Sequence, residues 1–330
     1  MTIKTKYNTA LSIKNTLLIA MASVFFVGLP LMIANHQITL SRTYHSPMSL
    51  EKNLKLPPMV NTIKFFASQG YDIDEVRKKR TPVPPLFLTH IPRELPFIQD
   101  VYEKKKLFFS ALLPPILKVN DYILQEREEL KRLIGKLVQG RDLGTSEIYW
   151  LVKKVERYRI KVKNPQDFLE RMDQVLNELM RRMNIIPPSL ALAQAAQESG
   201  WGTSRFAQQG NALFGQWIWG EGCGIIPKSR NAGARHRIKC YKSIIESVED
   251  YILNLNTHNA YKALREERNK FMGKEPINVT ALIGTLNSYS EEGEEYIHKI
   301  NNIIRINRLS DFEHSKLDDM MVDMGRFNSN

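Results

Sequence analysis

This sequence predicts a mainly α-helical fold with one small β-hairpin or irregular lobe, preceded by an N-terminal transmembrane or signal helix. Three observations carry the prediction. Apolar residues recur at helical spacing through most of residues 97–310. Residues 214–240 break that rhythm with glycine, aromatic and basic residues. Residues 16–34 form a charge-free, mostly apolar run behind Lys4, Lys6 and Lys14.

The N-terminal run is long enough to span a hydrocarbon core of roughly 30 Å. The lysines ahead of it favour an N-in, C-out orientation. A cleavable signal peptide has the same basic-then-apolar layout. The run is long, however, and the nearest small-x-small candidate, Met32-Ile33-Ala34, has large residues at two positions. A retained anchor is therefore favoured, and both readings imply export. Residues 37–96 carry Pro57-Pro58, the basic run Arg77-Lys78-Lys79-Arg80, and Pro82, Pro84, Pro85, Pro92 and Pro96. That is the punctuation of an extended connector. Phe65, Phe66, Leu86, Phe87 and Leu88 are not linker-like and suit a segment laid across a domain surface.

From residue 97 helices dominate. Residues 104–117 read as a helix interrupted by Pro114-Pro115. Residues 119–138 then place Ile123, Leu130, Ile134 and Leu137 at helical spacing, with Glu126, Arg127, Glu128 and Lys131 outside. Residues 146–158 and 165–183 are two more amphipathic helices. The second opens with Asn164 as N-cap and Pro165 at the first helical position. Pro187-Pro188 open a helix that runs to Ser199. After the lobe, residues 243–257, 261–272, 279–289 and 292–306 return to helix, and the last 20 residues read as a frayed acidic tail.

The formal charge of +12 is uneven. Residues 1–166 carry 27 Lys+Arg against 14 Asp+Glu, residues 167–308 carry 18 against 16, and residues 309–330 carry 2 against 5. No zinc pattern, RNP motif or recognition helix accompanies the basic half, so nucleic acid is not an expected partner. Attraction to an acidic envelope surface accounts for the excess, as does a solvated basic face with no partner. Cys223 and Cys240 are the only cysteines, 17 residues apart. One disulfide, worth about 3 kcal/mol for a loop of that size, suits an exported chain; two buried thiols are the alternative. Cys and His are too few at ligand spacing for a zinc site, and no cofactor or metal is expected.

One carboxylate stands out. Residues 189–215, SLALAQAAQESGWGTSRFAQQGNALFG, place Glu198 at the end of an alanine-rich apolar helix, beside a turn of small and aromatic residues. Partial exclusion of water and the carbonyls of a helix C-terminus both disfavour the ionised form. They raise a carboxyl pKa, as a general acid requires. Leu190, Ala193, Gln194 and Gln197 give the helix a face for close packing. Gly200 and Gly202 allow a tight turn with room for a ligand. Trp201 offers a flat apolar face of the kind on which sugar rings stack, with a core tryptophan as the competing reading.

The segment ALAQAAQESGWGTSRFAQQGNALFG resembles the signature of the mannosyl-glycoprotein endo-β-N-acetylglucosaminidase-like family, glycoside hydrolase family 73. It is most similar to the Bax subgroup, in which a helix like KKKLFFSALLPPILKVNDYILQEREELKRL precedes the signature. NALFGQW, GCGIIPKSR and SVEDYILNLNTHNAYKALREER resemble later segments, so the similarity covers roughly residues 92–310. The resemblance implies an α-rich, lysozyme-like glucosaminidase domain. The implied layout is a membrane anchor or signal segment at 1–36, a connector at 37–96, a helical accessory region at 97–164, the glucosaminidase-like domain at 165–310 and an acidic flexible tail at 311–330.

By the same resemblance Glu198 is the catalytic general acid that protonates the glycosidic oxygen. Asn211, Leu213, Phe214 and Gly215 match the segment that shapes the cleft, so Trp201, Asn211, Phe214 and Tyr289 are the expected substrate contacts. Tyr289 and Tyr296 resemble a late tyrosine pair whose second member lines the active site; their spacing is about one residue longer than usual, and burial in the core is the alternative for each. Many members place a second glutamate in the lobe, upstream of the aromatic matching Tyr241. This chain has Lys228, Arg230, Arg235, Arg237 and Lys239 there, and Glu221 is the lobe's only acidic residue. Glycoside cleavage commonly uses two carboxyl groups. Three routes stay open: Glu221 as base, the substrate's N-acetyl group as internal nucleophile, or attack by a muramic acid 6-hydroxyl. The expected function is therefore an envelope peptidoglycan hydrolase of the N-acetylglucosaminidase type, inner-membrane anchored with its catalytic domain in the periplasm. The expected partners are peptidoglycan glycan strands and the membrane. A single-glutamate lytic transglycosylase and a non-catalytic wall-binding or regulatory module are the alternatives.

Overall fold

The computed structural model describes residues 53–57, 61–228, 230, 233, 235–271 and 277–318. The apolar run 16–34 and residues 319–330 of the acidic tail lie outside the described residues. The described chain is mostly helix with one three-stranded sheet. It divides into a larger unit, Ser46–Tyr122 with Ile185–Asn330, and a smaller one whose described residues are Ile123–Asn184.

The larger unit begins with two short helices, α1 (Thr62–Ser68) and α2 (Ile73–Lys79), whose N-caps Asn61 and Asp72 accept hydrogen bonds from Lys64 N and Asp74 N. The proline-rich stretch that follows is packed into this unit rather than strung out as a connector. Phe66, Val83, Phe87, Leu88, Ile91 and Leu95 are all buried. Proline removes backbone donors but leaves apolar side chains free to pack, and short pairings take the remaining donors. Leu54 N donates to Phe87 O and Thr89 N to Leu54 O, while Val83 N donates to Lys316 O and Asp318 N to Val83 O.

The two helices expected either side of Pro114-Pro115 are a single one, α3 (Val101–Val138). Each proline removes an N–H to the carbonyl four residues back. Against that cost, Ala111, Leu112, Leu113, Ile116, Leu117 and Val119 are all buried. By length and composition α3 qualifies as a membrane span, yet 78% of its apolar window is buried inside the protein. It is a core helix.

In the smaller unit, residues 123–138 of α3 join α4 (Thr145–Arg157), α5 (Pro165–Glu170) and α6 (Met172–Arg182). Asn164 Oδ1 caps α5 by accepting from Asp167 N at 2.8 Å, with Pro165 at the first position. The continuous helix expected over 165–183 breaks at Arg171 (φ −113°, ψ 19°). The Arg127 guanidinium satisfies carbonyls at the end of α6, donating to Met180 O and, at 2.7 Å, to Met183 O. Buried Glu126 pairs with Lys154 and accepts from Tyr158 Oη.

The larger unit resumes with α7 (Pro188–Ser199) and α8 (Arg205–Gly210), then the sheet: β1 (Trp217–Ile218), β2 (Gly224–Ile225) and β3 (Arg237–Lys239). β3 is central and antiparallel to both others, with Trp217 opposite Ile238 and Gly224 opposite Lys239. Helices α9 (Ile244–Thr257), α10 (Lys262–Lys270), α11 (Val279–Ile283) and α12 (Glu294–Ile306) follow, and a 3₁₀ turn, Leu309–Phe312, closes the unit. The helix expected over 279–289 stops at Ile283, where the bonding tightens to Thr285 N on Leu282 O and Leu286 N on Ile283 O. Residue 272, expected to end the helix at 261, lies outside the described residues. α7 packs against α12 and the closing turn. Residues 188–196 are buried all round, which is why this helix is apolar on every face. The tail expected to fray from residue 311 is instead anchored through 318 by buried Phe312 and Leu317.

Candidate active site

The site is built on α7. Pro187, its N-cap, offers no side-chain acceptor. Glu313 supplies one from the other end of the unit, its Oε1 accepting from Ser189 N at 3.2 Å. Burial pushes the Glu313 carboxyl above its ordinary range. At the C-terminal end Gly200, Trp201 and Gly202 take positive φ in succession (57°, 58° and 72°). Gly202 is confined: a Cβ there would lie 2.9 Å from Leu95 Cδ1 and 3.0 Å from Ile91 Cγ1. Ser199 Oγ ties the turn down, donating to Ala195 O at 2.6 Å and accepting from Gly202 N at 2.8 Å. A tryptophan held at positive φ costs on the order of 1 kcal/mol, strain of the kind that collects at functional sites.

Glu198 lies one residue inside this turn, partly buried. Its Oε2 sits against Gly215, where a Cβ would come within 3.2 Å, and Gly215 takes φ 66°. The opposite flank is a polar relay. Buried Tyr251 Oη donates to Gln194 Oε1 at 2.6 Å, and Gln194 Nε2 donates to Tyr296 Oη at 2.7 Å. The Tyr296 hydroxyl in turn bears on the Glu198 carboxyl and favours its ionised form. The Gln194 amide thus links the two tyrosine hydroxyls, accepting from one and donating to the other. Rings complete the wall. Phe214 stacks on Tyr251 at 3.9 Å and 9°, and Tyr289 stacks on Tyr296 at 5.4 Å and 12°. Tyr289 Oη also donates to Phe214 O at 3.1 Å.

Burial is the main reason the Glu198 carboxyl rises to about 7; the Tyr296 hydroxyl opposes it, and the negative charge of Glu292 adds to it. The helix-terminus carbonyls invoked from sequence are not among the leading causes. Burial, reinforced by the Glu198 charge, pushes Tyr251, Tyr261, Tyr289 and Tyr296 upward, so all four remain neutral hydroxyls near pH 7. Within this cluster Glu198 is the group suited to moving a proton at neutral pH.

The other sequence-selected residues fall in different places. Tyr296 is about 1% exposed and bears on Glu198 through its hydroxyl. Phe214 and Tyr289 belong to the same wall. Trp201 is half-buried: its ring packs on Phe108 and Phe109 at 5.9 and 5.5 Å, with Lys105 Nζ 4.7 Å from its centroid. Asn211 is a buried clasp, not a substrate contact. Its Oδ1 accepts from Ile91 N, and its Nδ2 donates to Thr89 O and Tyr241 O. Its amide is spent on joining three backbone segments. Glu221 is exposed on the segment between β1 and β2. The carboxylate whose charge reaches Glu198 is Glu292, itself 2.7 Å from Lys299 Nζ. Cys223 and Cys240 form a disulfide (Cα–Cα 5.3 Å) that closes the sheet's open ends.

Sequence reading missed Tyr251, Tyr261 and Glu292, and used Gln194 only for packing. Gln194 carried a signal: it lies one turn before Glu198, on the same face of an otherwise apolar helix. Tyr251 carried none, because a tyrosine within SVEDYILNL reads as an ordinary core residue.

Residues 173–309 match the family model described as mannosyl-glycoprotein endo-beta-N-acetylglucosaminidase. Over 197 residues the chain is 34% identical to Protein bax of Escherichia coli (strain K12), covering 58% of this chain and 66% of that protein. The chain thus spans just under two thirds of the length of that relative. No solved structure matches.

Proposed function

Because the chain is a Bax-like member of the glucosaminidase family and carries a glycosidase-type domain, we propose that it is an envelope peptidoglycan hydrolase cleaving β-1,4 bonds of the glycan strand with Glu198 as its single general acid. One observation carries the proposal: the Glu198 carboxyl, raised to about 7, is held between Gly215 and the Tyr296 hydroxyl. A carboxyl with that pKa is substantially protonated at neutral pH and returns to its ionised form without a large penalty, as one group serving as acid and then base requires.

The chemistry that suits one glutamate is substrate-assisted. The acetamido oxygen of the sugar attacks C1 as the bond to the leaving oxygen breaks, and that oxygen takes the Glu198 proton. Water then attacks C1, reopens the cyclic intermediate and gives its proton back to Glu198. Tyr296 steadies the carboxylate between the steps, and the relay through Gln194 and Tyr251 fixes the Tyr296 hydroxyl. In this reading residues 16–34 anchor the chain in a bacterial inner membrane and the domain works on the periplasmic side.

Digestion of purified sacculi, with product ends identified by mass spectrometry, tests the proposal. Wild type should release fragments ending in reducing N-acetylglucosamine, and Glu198→Gln should release none. Anhydro-muramic ends would replace hydrolysis with transglycosylation. Absence of soluble product from wild type, or undiminished release by Glu198→Gln, would sink the hydrolase reading.

A further inference from the structure

The sheet presents an aromatic surface that the site around Glu198 does not use. Trp217 and Trp219 are 50% and 64% exposed, with ring centroids 5.7 Å apart. They lie two residues apart along an extended segment and so share a face. Ile218 between them turns the other way, over Gly222 and Gly224, where a Cβ at either would come within 3.0 Å of it. One face of Trp217 is backed by His236, stacked at 4.5 Å and 16°. The backbone beneath is fixed by the β1–β3 pairing and by the Cys223–Cys240 disulfide. Two large apolar rings on a rigid base, left to water, mark a contact surface.

Its position and charge identify the contact. Gly215, against which the Glu198 carboxyl rests, is only two residues before Trp217, about 7 Å of extended chain. The segment 217–240 carries Lys228, Arg230, Arg235, Arg237 and Lys239 against Glu221 alone. Arg230 and Arg237 spend donors on the carbonyls of His236 and Gly220, which leaves their charge in place. Lys239 is paired with Asp250. Flat rings set among cations suit a polymer whose units have apolar ring faces and whose substituents carry carboxylates.

We propose that Trp217 and Trp219 form a stacking platform for sugar rings of an anionic glycan strand, gripping it beyond the bond presented to Glu198 while the surrounding arginines and lysines meet its carboxylates. The proposal rests on the glycan-cleaving reading for the identity of the strand, but its test does not depend on turnover. Binding to purified sacculi is measured by pull-down in the Glu198→Gln background, so that cleavage does not intervene. Adding Trp217→Ala and Trp219→Ala should weaken sacculus affinity by roughly tenfold or more, the scale of losing aromatic contacts worth about 1.4 kcal/mol. Trp217→Phe with Trp219→Phe should retain most of it, and that pair separates lost stacking from a damaged lobe. Parental affinity should also fall as salt rises. An alanine pair that binds within twofold of its parent overturns the platform, as does a phenylalanine pair as weak as the alanine pair. If wild type cleaves nothing yet the alanine pair still loses binding, the platform stands and the hydrolase reading fails.

Discussion

Replacing Glu198 with glutamine should make the protein more stable, and by an amount that depends on pH. Burial, helped by the charge of Glu292, places the carboxyl at about 7 in the fold against an ordinary 4.5. Between those values the folded protein retains a proton that the unfolded chain has released. Raising the pH through that window therefore drains stability from the native state. The interval is roughly 2.5 pH units, and at about 1.4 kcal/mol per unit the loss approaches about 3 kcal/mol. Glutamine has nearly the same shape and cannot ionise, so Glu198→Gln escapes the loss. Urea titrations of both proteins at pH 4 and pH 8 measure it. The two should be nearly equal at pH 4, and the variant should be more stable by up to about 3 kcal/mol at pH 8. Groups common to both proteins cancel in the comparison. A stability difference that stays the same at the two pH values would refute the reasoning, because the carboxyl would then be no more costly to ionise in the fold than in the open chain.

Three further outcomes follow from the same geometry. Tyr296→Phe removes the hydroxyl that favours the ionised carboxyl, so the alkaline limb of the pH–activity profile should move upward; it also strands the Gln194 amide, at about 1–3 kcal/mol of stability. A limb that moved downward would contradict this role of the hydroxyl. Gly215→Ala puts a Cβ 3.2 Å from Glu198 Oε2 at a φ of 66°, and displacing the carboxyl should cut sacculus cleavage by up to ~100-fold. Normal turnover would show that the contact does not set its position. Serine at both Cys223 and Cys240 should lower the free energy of unfolding by about 3 kcal/mol, read in urea without reductant; an unchanged midpoint would mean that the lobe holds its shape unaided.

What the sequence disclosed and what it concealed divide along physical lines. The bounds of α7 were legible because Pro188 and Gly200 are strong local punctuation, and Glu198 was legible as the one charge on an apolar helix. Pro114 and Pro115 misled because the local penalty of proline is plain in sequence, whereas the burial of Leu112, Leu113 and Ile116 that outweighs it is tertiary. The proline-rich stretch before α3 misled for the same reason: its partners, among them Leu317, lie hundreds of residues away. The relay through Tyr251 and Gln194 spans 57 residues and no local pattern announces it. Glu292 was overlooked because one glutamate among Glu291, Glu292, Glu294 and Glu295 looks like an ordinary solvated surface.

The cap on α7 sets the order in which the molecule is finished. The acceptor for Ser189 N is Glu313, 124 residues further along, and Val83 waits still longer for its pairing with Lys316 and Asp318. During vectorial synthesis the N-terminal amide of the helix bearing Glu198 lacks this acceptor until a further 124 residues have been made. A nascent chain stopped before residue 309 would display the whole signature around Glu198 and lack the closure that holds its helix. The helix that carries the acid is thus finished by a residue made long after it, rather than by its own N-cap.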